Sequence, residues 1–304
     1  MGGVVTNPGR AKLDTRIGFI GMGHMGSHMT RRLLEAGYPT VVYDRTEEKT
    51  RDAEHLGATS APTPKELAAN CQVILACVTN DEAQHDVMFG PNGALAGVHS
   101  GSMIIDLSTV SPGASRRLHE AAADLGAPMI DAAVSGSVPQ VEQGSLVIFV
   151  GGEKEAYERG KPILEVLGTS IFHMGPSGMG TTMKLVVNTL LGLGMQSLAE
   201  AIALGQKAGI QKGLLLDVLG QTYVLTPSQK SKLENVRRGE YPTSFSLALM
   251  HKDFDLVLRE AYELSVAMPA TAAAQQMAAA AEAKGIDADF SVLIKFMAER
   301  SRAE

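Results

Sequence analysis

Lys184 sits in the run MKLVVN, and between Val166 and Ala199 no other Asp, Glu, Lys or Arg occurs. Taking an ammonium out of water costs several kcal/mol even after relaxation, so apolar surroundings call for a partner, a route to solvent or a use. Asn188 follows four residues later, on the same face if the run is helical. A partly desolvated lysine has its pKa drawn down toward the working range. It can then give a proton to a carbonyl oxygen and take it back from an alcohol, with Asn188 holding that oxygen or orienting the ammonium. The ordinary alternative is a lysine that snorkels to water.

A second set of residues suits a nucleotide. RIGFIGMGHMG places Gly21, Gly23 and Gly26 in G-x-G-x-x-G spacing, after an apolar strand and before the helical stretch HMGSHMTRRLLEAG, with Met22, His24 and Met25 between the glycines. Glycines permit a tight turn and close backbone approach, so a pyrophosphate can sit on the N–H groups of the helix N-terminus. A second strand ends at Asp44, eighteen residues after Gly26, and that context separates a dinucleotide site from glycines serving only a packing turn. The residues YDRTEEK divide on cofactor. Asp44 can accept a hydrogen bond from a ribose 2′-OH and would repel a 2′-phosphate, whereas Arg45 and Thr46 offer the guanidinium and hydroxyl that a 2′-phosphate needs. The balance tips slightly to NADP over NAD, although Arg45 could equally be a solvated charge.

CVTNDEA, with Val78, Thr79 and Asn80, and LSTVSP, with Thr109, each follow an apolar run and supply polar groups at its carboxyl end. In open α/β sheets that edge binds ligands, so these residues are candidates for the cofactor's ribose and nicotinamide; each taken singly is an ordinary turn residue or cap. DAAVSGS carries Ser135, Gly136 and Ser137 at another strand end, where small residues and hydroxyls suit a substrate carboxylate. Lys252 and Asp253, in MHKDFDLVLREA, read otherwise as solvated charges near a helix start.

The elements that must position these residues follow from the pattern. From Arg16 to about Met174, strand candidates RIGFIG, PTVVYD, VILACV, SMIIDLS, PMIDAAV, SLVIFVGG and TSIFHM alternate with helical stretches, which argues for a mostly parallel, doubly wound sheet of Rossmann type. After Gly175 the period turns helical, over 180–207, 212–221, 246–265 and 269–284. The first of these is about 40 Å long if fully helical. GPSG at 175–178 marks the hinge, giving a flexible tail at 1–14, a nucleotide-binding domain at 15–176 and an all-helical domain at 177–304. A chain of 304 residues, 45% hydrophobic, can bury such cores.

Other classes fall away. A net charge of −6 without basic runs leaves no footprint for nucleic acid or an anionic membrane. LVVNTLLGLGM is about half the length of a bilayer span and contains Asn188 and two glycines, so no transmembrane helix is expected. Cys71 and Cys77 lie six residues apart in CQVILACV, which reads as one buried strand and predicts reduced core residues on one face in a cytoplasmic protein. His24 and His28 have the spacing of a metal pair but no third ligand, so no metal is expected.

Taken together, GMGHMG, LSTVSP, DAAVSGS with its later QGSL, GPSGMGTTMKLVVN and FSLALMHKDFDLVL resemble, in order and spacing, the β-hydroxyacid dehydrogenases related to 3-hydroxyisobutyrate dehydrogenase. The resemblance runs from about Arg16 to Ala298. It implies a helical domain built on a long interdomain helix, a site in the cleft beside it, and a homodimer or homotetramer. Residue by residue it implies Lys184 as the catalytic lysine with Asn188 as companion, and Ser135 and Gly136 on the substrate carboxylate. Thr109 and Lys252 would contact the cofactor, and Phe245 and Asp253 would line the site. The family's commoner SGGxxGA loop is replaced by SGSVPQVEQG, closer to the glyoxylate/succinic semialdehyde reductase branch, where Asn-Arg-Thr usually stands in place of Asp44-Arg45-Thr46. The expected activity is interconversion of a short β- or γ-hydroxy acid and its semialdehyde. Imine reductases share the architecture but usually carry Asp or Tyr at the position of Lys184, and a non-catalytic cofactor-binding scaffold is the alternative of another class.

Overall fold

Short apolar strands and amphipathic helices alternate from Ile17 onward and close into one eight-stranded sheet of order β3-β2-β1-β4-β5-β6-β7-β8. The computed structural model describes residues 15–301, so the tail expected at 1–14 lies outside the described residues. Strands β1 (Ile17–Ile20), β2 (Thr40–Tyr43), β3 (Thr59–Ser60), β4 (Val73–Ala76), β5 (Met103–Asp106) and β6 (Met129–Ser135) are mutually parallel. β7 (Leu146–Gly151) runs antiparallel to β6, and β8 (Gly168–Gly175) runs parallel to β7. The two-residue β3 is absent from the strand candidates, being too short and too exposed to show a period.

Helices α1 (His24–Glu35), α2 (Arg51–His55), α3 (Pro64–Ala69), α4 (Asp81–Phe89), α5 (Pro112–Asp124), α6 (Val138–Glu142) and α7 (Lys154–Leu167) connect the strands and cover both faces of the sheet. Alternation along the strands shows the two faces. Ile17 and Phe19, Val73 and Leu75, and Met103 and Ile105 pack with Met29 and Leu33 of α1 and Ile163 of α7. Ile20, Ile74 and Ile104 pack on the other side with Leu67 of α3, Met88 of α4 and Leu118 of α5. The cysteines therefore do not share a face. β4 spans only 73–76; half-buried Cys77 keeps its alternation and packs with Val73 and Leu75 against the first cluster, whereas buried Cys71, ahead of the bend at Gln72, joins the second. Neither cysteine is in a disulfide.

The chain divides into two compact units, one ending at Lys184 and the other beginning at Leu185. The division falls within helix α8 (Met179–Lys207), followed by α9 (Lys212–Gln221), α10 (Pro227–Arg238), α11 (Leu247–Glu263), α12 (Pro269–Glu282) and α13 (Leu293–Arg300). Helices α10 and α13 are additional to the helical stretches read from the sequence; α10 is strongly polar and is marked instead by its Thr226–Gln229 capping box. The core of the second unit gathers Met195, Leu198, Ile202, Leu233, Met250, Phe254 and Phe290. At 29 residues, α8 extends well beyond LVVNTLLGLGM and is, by length and composition alone, long and apolar enough to cross a membrane. Its Met195, Leu198, Ala199 and Ile202 are instead buried in the helical core.

Candidate active site

Register brings the carboxyl ends of the central strands level. Ile20 pairs with Tyr43 on one side and Ala76 on the other, and Ala76 pairs with Asp106. The turns that follow therefore lie in order along one edge of the sheet: Asp44 to Thr46 after β2, Gly21 to Gly26 after β1, Val78 to Asn80 after β4, and Thr109 after β5. β6 pairs Asp131 with Asp106 and runs on past that level to Ser135, ahead of Gly136 and Ser137. β1 and β4 are adjacent strands whose connections leave in opposite directions along the sheet, the switch point at which ligands bind in open α/β folds.

The three loop glycines have different reasons. Gly21 has φ +97°, and a Cβ there would lie 2.3 Å from the Cys77 carbonyl oxygen. A Cβ on Gly26 would lie 1.9 Å from the Gly21 carbonyl oxygen, so this glycine lets α1 approach β1. Gly23 is different: a Cβ there meets nothing within 4 Å, so packing does not require glycine. It caps α1 without a side-chain hydrogen bond, and the first turn carries no acidic residue. The helix start thus presents N–H groups and positive potential to open space, which fits a pyrophosphate. His24 is exposed, Met25 is half-buried, and Met22 turns its side chain into the core.

Asp44 is turned inward. Its Oδ2 accepts the N–H of Met22 at 2.8 Å and its Oδ1 the N–H of Thr46 at 2.9 Å, so the carboxylate fastens the glycine loop to the end of β2. Arg45 and Thr46 are exposed. Asn80 caps α4 by accepting the N–H of Ala83 at 2.8 Å, Thr79 is exposed, and half-buried Val78 donates its N–H to Ser108 Oγ at 2.9 Å. The N–H of Ser108 in turn reaches Asp106 Oδ1 at 3.0 Å, and Ser111 donates to Asp81 from both its N–H and its hydroxyl, at 2.8 and 2.6 Å. Burial pushes the Asp106 carboxyl above the ordinary range, opposed by hydrogen bonds from Ser108 and Gln84. The candidates from sequence omit Asp106, Ser108, Asp81 and Ser111, which tie the turns after β4 and β5 together; their signal is polar side chains inside or just beyond apolar strands. At Ser137, the N–H and hydroxyl both donate to Gln140 Oε1 at 2.9 and 2.8 Å, which shapes the loop at Gly136, where φ is +135°.

Half-buried Lys184 lies in the first turns of α8, one turn before Asn188. In the second unit, Asn188 and Asp253 are each 1% exposed, and Asn188 donates its Nδ2 hydrogen to Asp253 Oδ2. Only the amide nitrogen can donate to a carboxylate, so this bond fixes the amide's orientation and leaves Oδ1, which has no hydrogen-bond partner among the described residues, as a buried acceptor. Lys252 Nζ lies 2.7 Å from Asp253 Oδ1. Phe245 stacks edge-on against Phe290, and its N–H reaches Asp289 Oδ2 at 3.2 Å.

Residues 16–175 match the family described as the NAD binding domain of 6-phosphogluconate dehydrogenase, and residues 178–297 match that described as NAD-binding of NADP-dependent 3-hydroxyisobutyrate dehydrogenase. The chain belongs to this family of NAD(P)-dependent hydroxyacid dehydrogenases. Glyoxylate/succinic semialdehyde reductase 2, chloroplastic, of Arabidopsis thaliana is 38% identical over 94% of this chain and 80% of its own length. The 2-(hydroxymethyl)glutarate dehydrogenase of Eubacterium barkeri is 34% identical over 92% of this chain and 94% of its own. Among solved structures, a 3-hydroxyisobutyrate dehydrogenase from Salmonella typhimurium superposes with a TM-score of 0.85 at 27% identity, covering 93% of this chain and all of that one. The β-hydroxyacid dehydrogenase shares both the sheet and the helical region with this protein, so the NAD(P)-binding, two-part fold expected from the sequence is the fold observed.

Proposed function

We propose that this dehydrogenase interconverts a short β- or γ-hydroxy acid and its semialdehyde, with Lys184 as general acid and base. The observation that carries this is the amide of Asn188, held by Asp253 so that its buried Oδ1 is left as an acceptor, one helical turn along α8 from Lys184. An ammonium or a substrate hydroxyl is what such an acceptor takes. The glycine loop, Asp44 to Thr46, Val78 to Asn80, Thr109 and Lys252 would hold the nicotinamide cofactor, which when bound gives or takes a hydride. Ser135, Gly136 and Ser137 hold the substrate carboxylate through N–H and hydroxyl donors, and Phe245 and Asp253 bound the substrate. Lys184 gives its proton to the aldehyde oxygen in reduction and recovers it from the alcohol in oxidation, and its charge stabilises the alkoxide between the two.

For the cofactor we favour NADP. Each oxygen of Asp44 accepts a backbone N–H group, which turns the carboxylate toward the glycine loop, while Arg45 and Thr46 are exposed and offer a guanidinium and a hydroxyl to a 2′-phosphate. For assembly, Leu190, Leu204, Leu214, Tyr223 and Val224 of the helical unit are exposed apolar side chains, in keeping with a homodimer or homotetramer.

Glyoxylate, the semialdehydes of succinate, tartronate and methylmalonate, and 3-hydroxyisobutyrate in the reverse direction should be assayed with both cofactors beside a cyclic imine. Turnover of at least one carboxylate substrate is expected. Turnover of the imine alone would mark an imine reductase, and cofactor binding without any turnover would mark a scaffold.

A further inference from the structure

Asp131 takes no part in the chemistry just described, yet its buried carboxylate accepts three hydrogen bonds from one remote segment, Gly178 to Thr181. It lies in β6 and is 1% exposed. Oδ1 accepts the N–H of Gly178 at 2.7 Å, while Oδ2 accepts the N–H of Thr181 at 2.8 Å and the Thr181 hydroxyl at 3.2 Å. These N–H groups precede and begin α8, where a helix cannot satisfy its own donors, and a negative charge there meets the positive end of the helix dipole. A residue 47 positions before Gly178 and 50 before Thr181 therefore acts as an N-cap.

The surrounding backbone is shaped to this carboxylate. Gly178 has φ +87°. A Cβ on Gly180 would stand 2.3 Å from the Phe149 carbonyl oxygen and 2.8 Å from Asp131 Oδ2, and one on Gly151 would stand 2.5 Å from Asp131 Oδ1. Side chains at either glycine would push β7 or the helix start away from Asp131. Lys184 follows Thr181 by three residues, less than one turn. Ser135 lies four residues along the same strand, on the same face as Asp131 and about 13 Å away.

We propose that Asp131 is a positioning residue: by clamping the first turn of α8 to β6, it sets Lys184 at a fixed distance from the Ser135–Gly136 loop on the same strand. One strand thus places both the proton donor and the carboxylate site. This rests on the proposed role of Lys184. A spacing fixed in this way selects substrates by the separation of carboxylate and carbonyl, which is the property that distinguishes one short semialdehyde from another.

Asp131→Asn keeps the volume but sets an amide donor against one of the two N–H groups. Its turnover number on the best substrate should fall roughly tenfold to a hundredfold, the scale of an ångström-sized misplacement, with KM for the cofactor within about twofold. Amide hydrogen exchange in 178–184 should accelerate at least about tenfold while β5 is unchanged. Thr181→Val, which keeps both N–H bonds and loses the hydroxyl, should show a smaller loss of turnover that Thr181→Ser restores. A purely structural residue would lower Tm and leave turnover per folded molecule at the parent value; that result overturns the proposal, as does parental exchange in 178–184. If Asp131→Asn does not fold, equal turnover and equal exchange in Thr181→Val, Thr181→Ser and the parent overturn it. If the parent reduces no semialdehyde, the functional assignment fails separately, and exchange in 178–184 together with the rate of Lys184 acylation by an amine-directed reagent still decides whether Asp131 holds the lysine.

Discussion

Substituting alanine at Gly23 and at Gly26 separates binding from folding within one loop. At Gly26 a Cβ would come within 1.9 Å of the Gly21 carbonyl oxygen, a backbone atom that no rotamer change can move aside. Helix α1 must shift by more than an ångström, and overpacking on that scale costs roughly 1–3 kcal/mol or more. At Gly23 the Cβ meets nothing within 4 Å, and φ −76° with ψ −170° is open to any residue. Gly23→Ala should therefore cost less than about 1 kcal/mol of stability, the ordinary penalty of alanine at an N-cap. Its methyl nevertheless enters the open space at the start of α1 where the proposed site would take the pyrophosphate, and losing one hydrogen bond to a charged group weakens binding about tenfold to a hundredfold. The chain has no tryptophan, so calorimetric titration with NADP and NAD, beside thermal unfolding, is the suitable assay. Gly26→Ala should lose Tm and Gly23→Ala should lose affinity. Parental affinity in Gly23→Ala, or an equal loss of Tm in both variants, would refute it.

Three further outcomes follow from the geometry. Arg45→Ala should weaken NADP about tenfold or more in titration while NAD changes less than about threefold, because the Asp44 carboxylate is already committed to the backbone. Lys232→Met leaves Asp289, 0% exposed, without the ammonium 2.9 Å away, at a cost of roughly 3–5 kcal/mol in denaturant unfolding at neutral pH. Burial raises the Asp289 carboxyl, but Lys232 and Ser291 outweigh it and hold it below the ordinary range. Its contribution is thus full above the unfolded value near about 4 and is lost as pH falls through the folded value, so the gap between parent and variant should narrow on acidification. Burial, only partly offset by Arg16, pushes the Cys71 thiol up to about 12, so thiol reagents at neutral pH should leave it unmodified until the protein unfolds, as mass mapping would show.

The fold class could be read in the sequence because both periodicities are strong: short apolar runs ending in small or polar residues, then long helical stretches without proline. GMGHMG was legible for the same reason, since glycine spacing, strand and helix agree. What was not legible depends on partners distant in sequence. Thr59–Ser60 becomes a strand only because β2 lies beside it. The opposite faces of Cys71 and Cys77 follow from a strand of only four residues that the pattern read as longer. The hydrogen bonds from the Met22 and Thr46 N–H groups to Asp44, which tie the glycine loop to the end of β2, show only in the fold. Asp131 and Asp289 look like ordinary acids in DAAV and DADF, and only the fold shows each collecting backbone N–H groups from remote segments.

Lys184→Ala, with steady-state reduction of the best semialdehyde measured beside cofactor affinity, tests the central claim most directly. Removal of a general acid–base group predicts turnover lowered by roughly two or more orders of magnitude with cofactor affinity within about twofold of the parent. Turnover within about tenfold of the parent, at any substrate concentration, would contradict the assignment of Lys184.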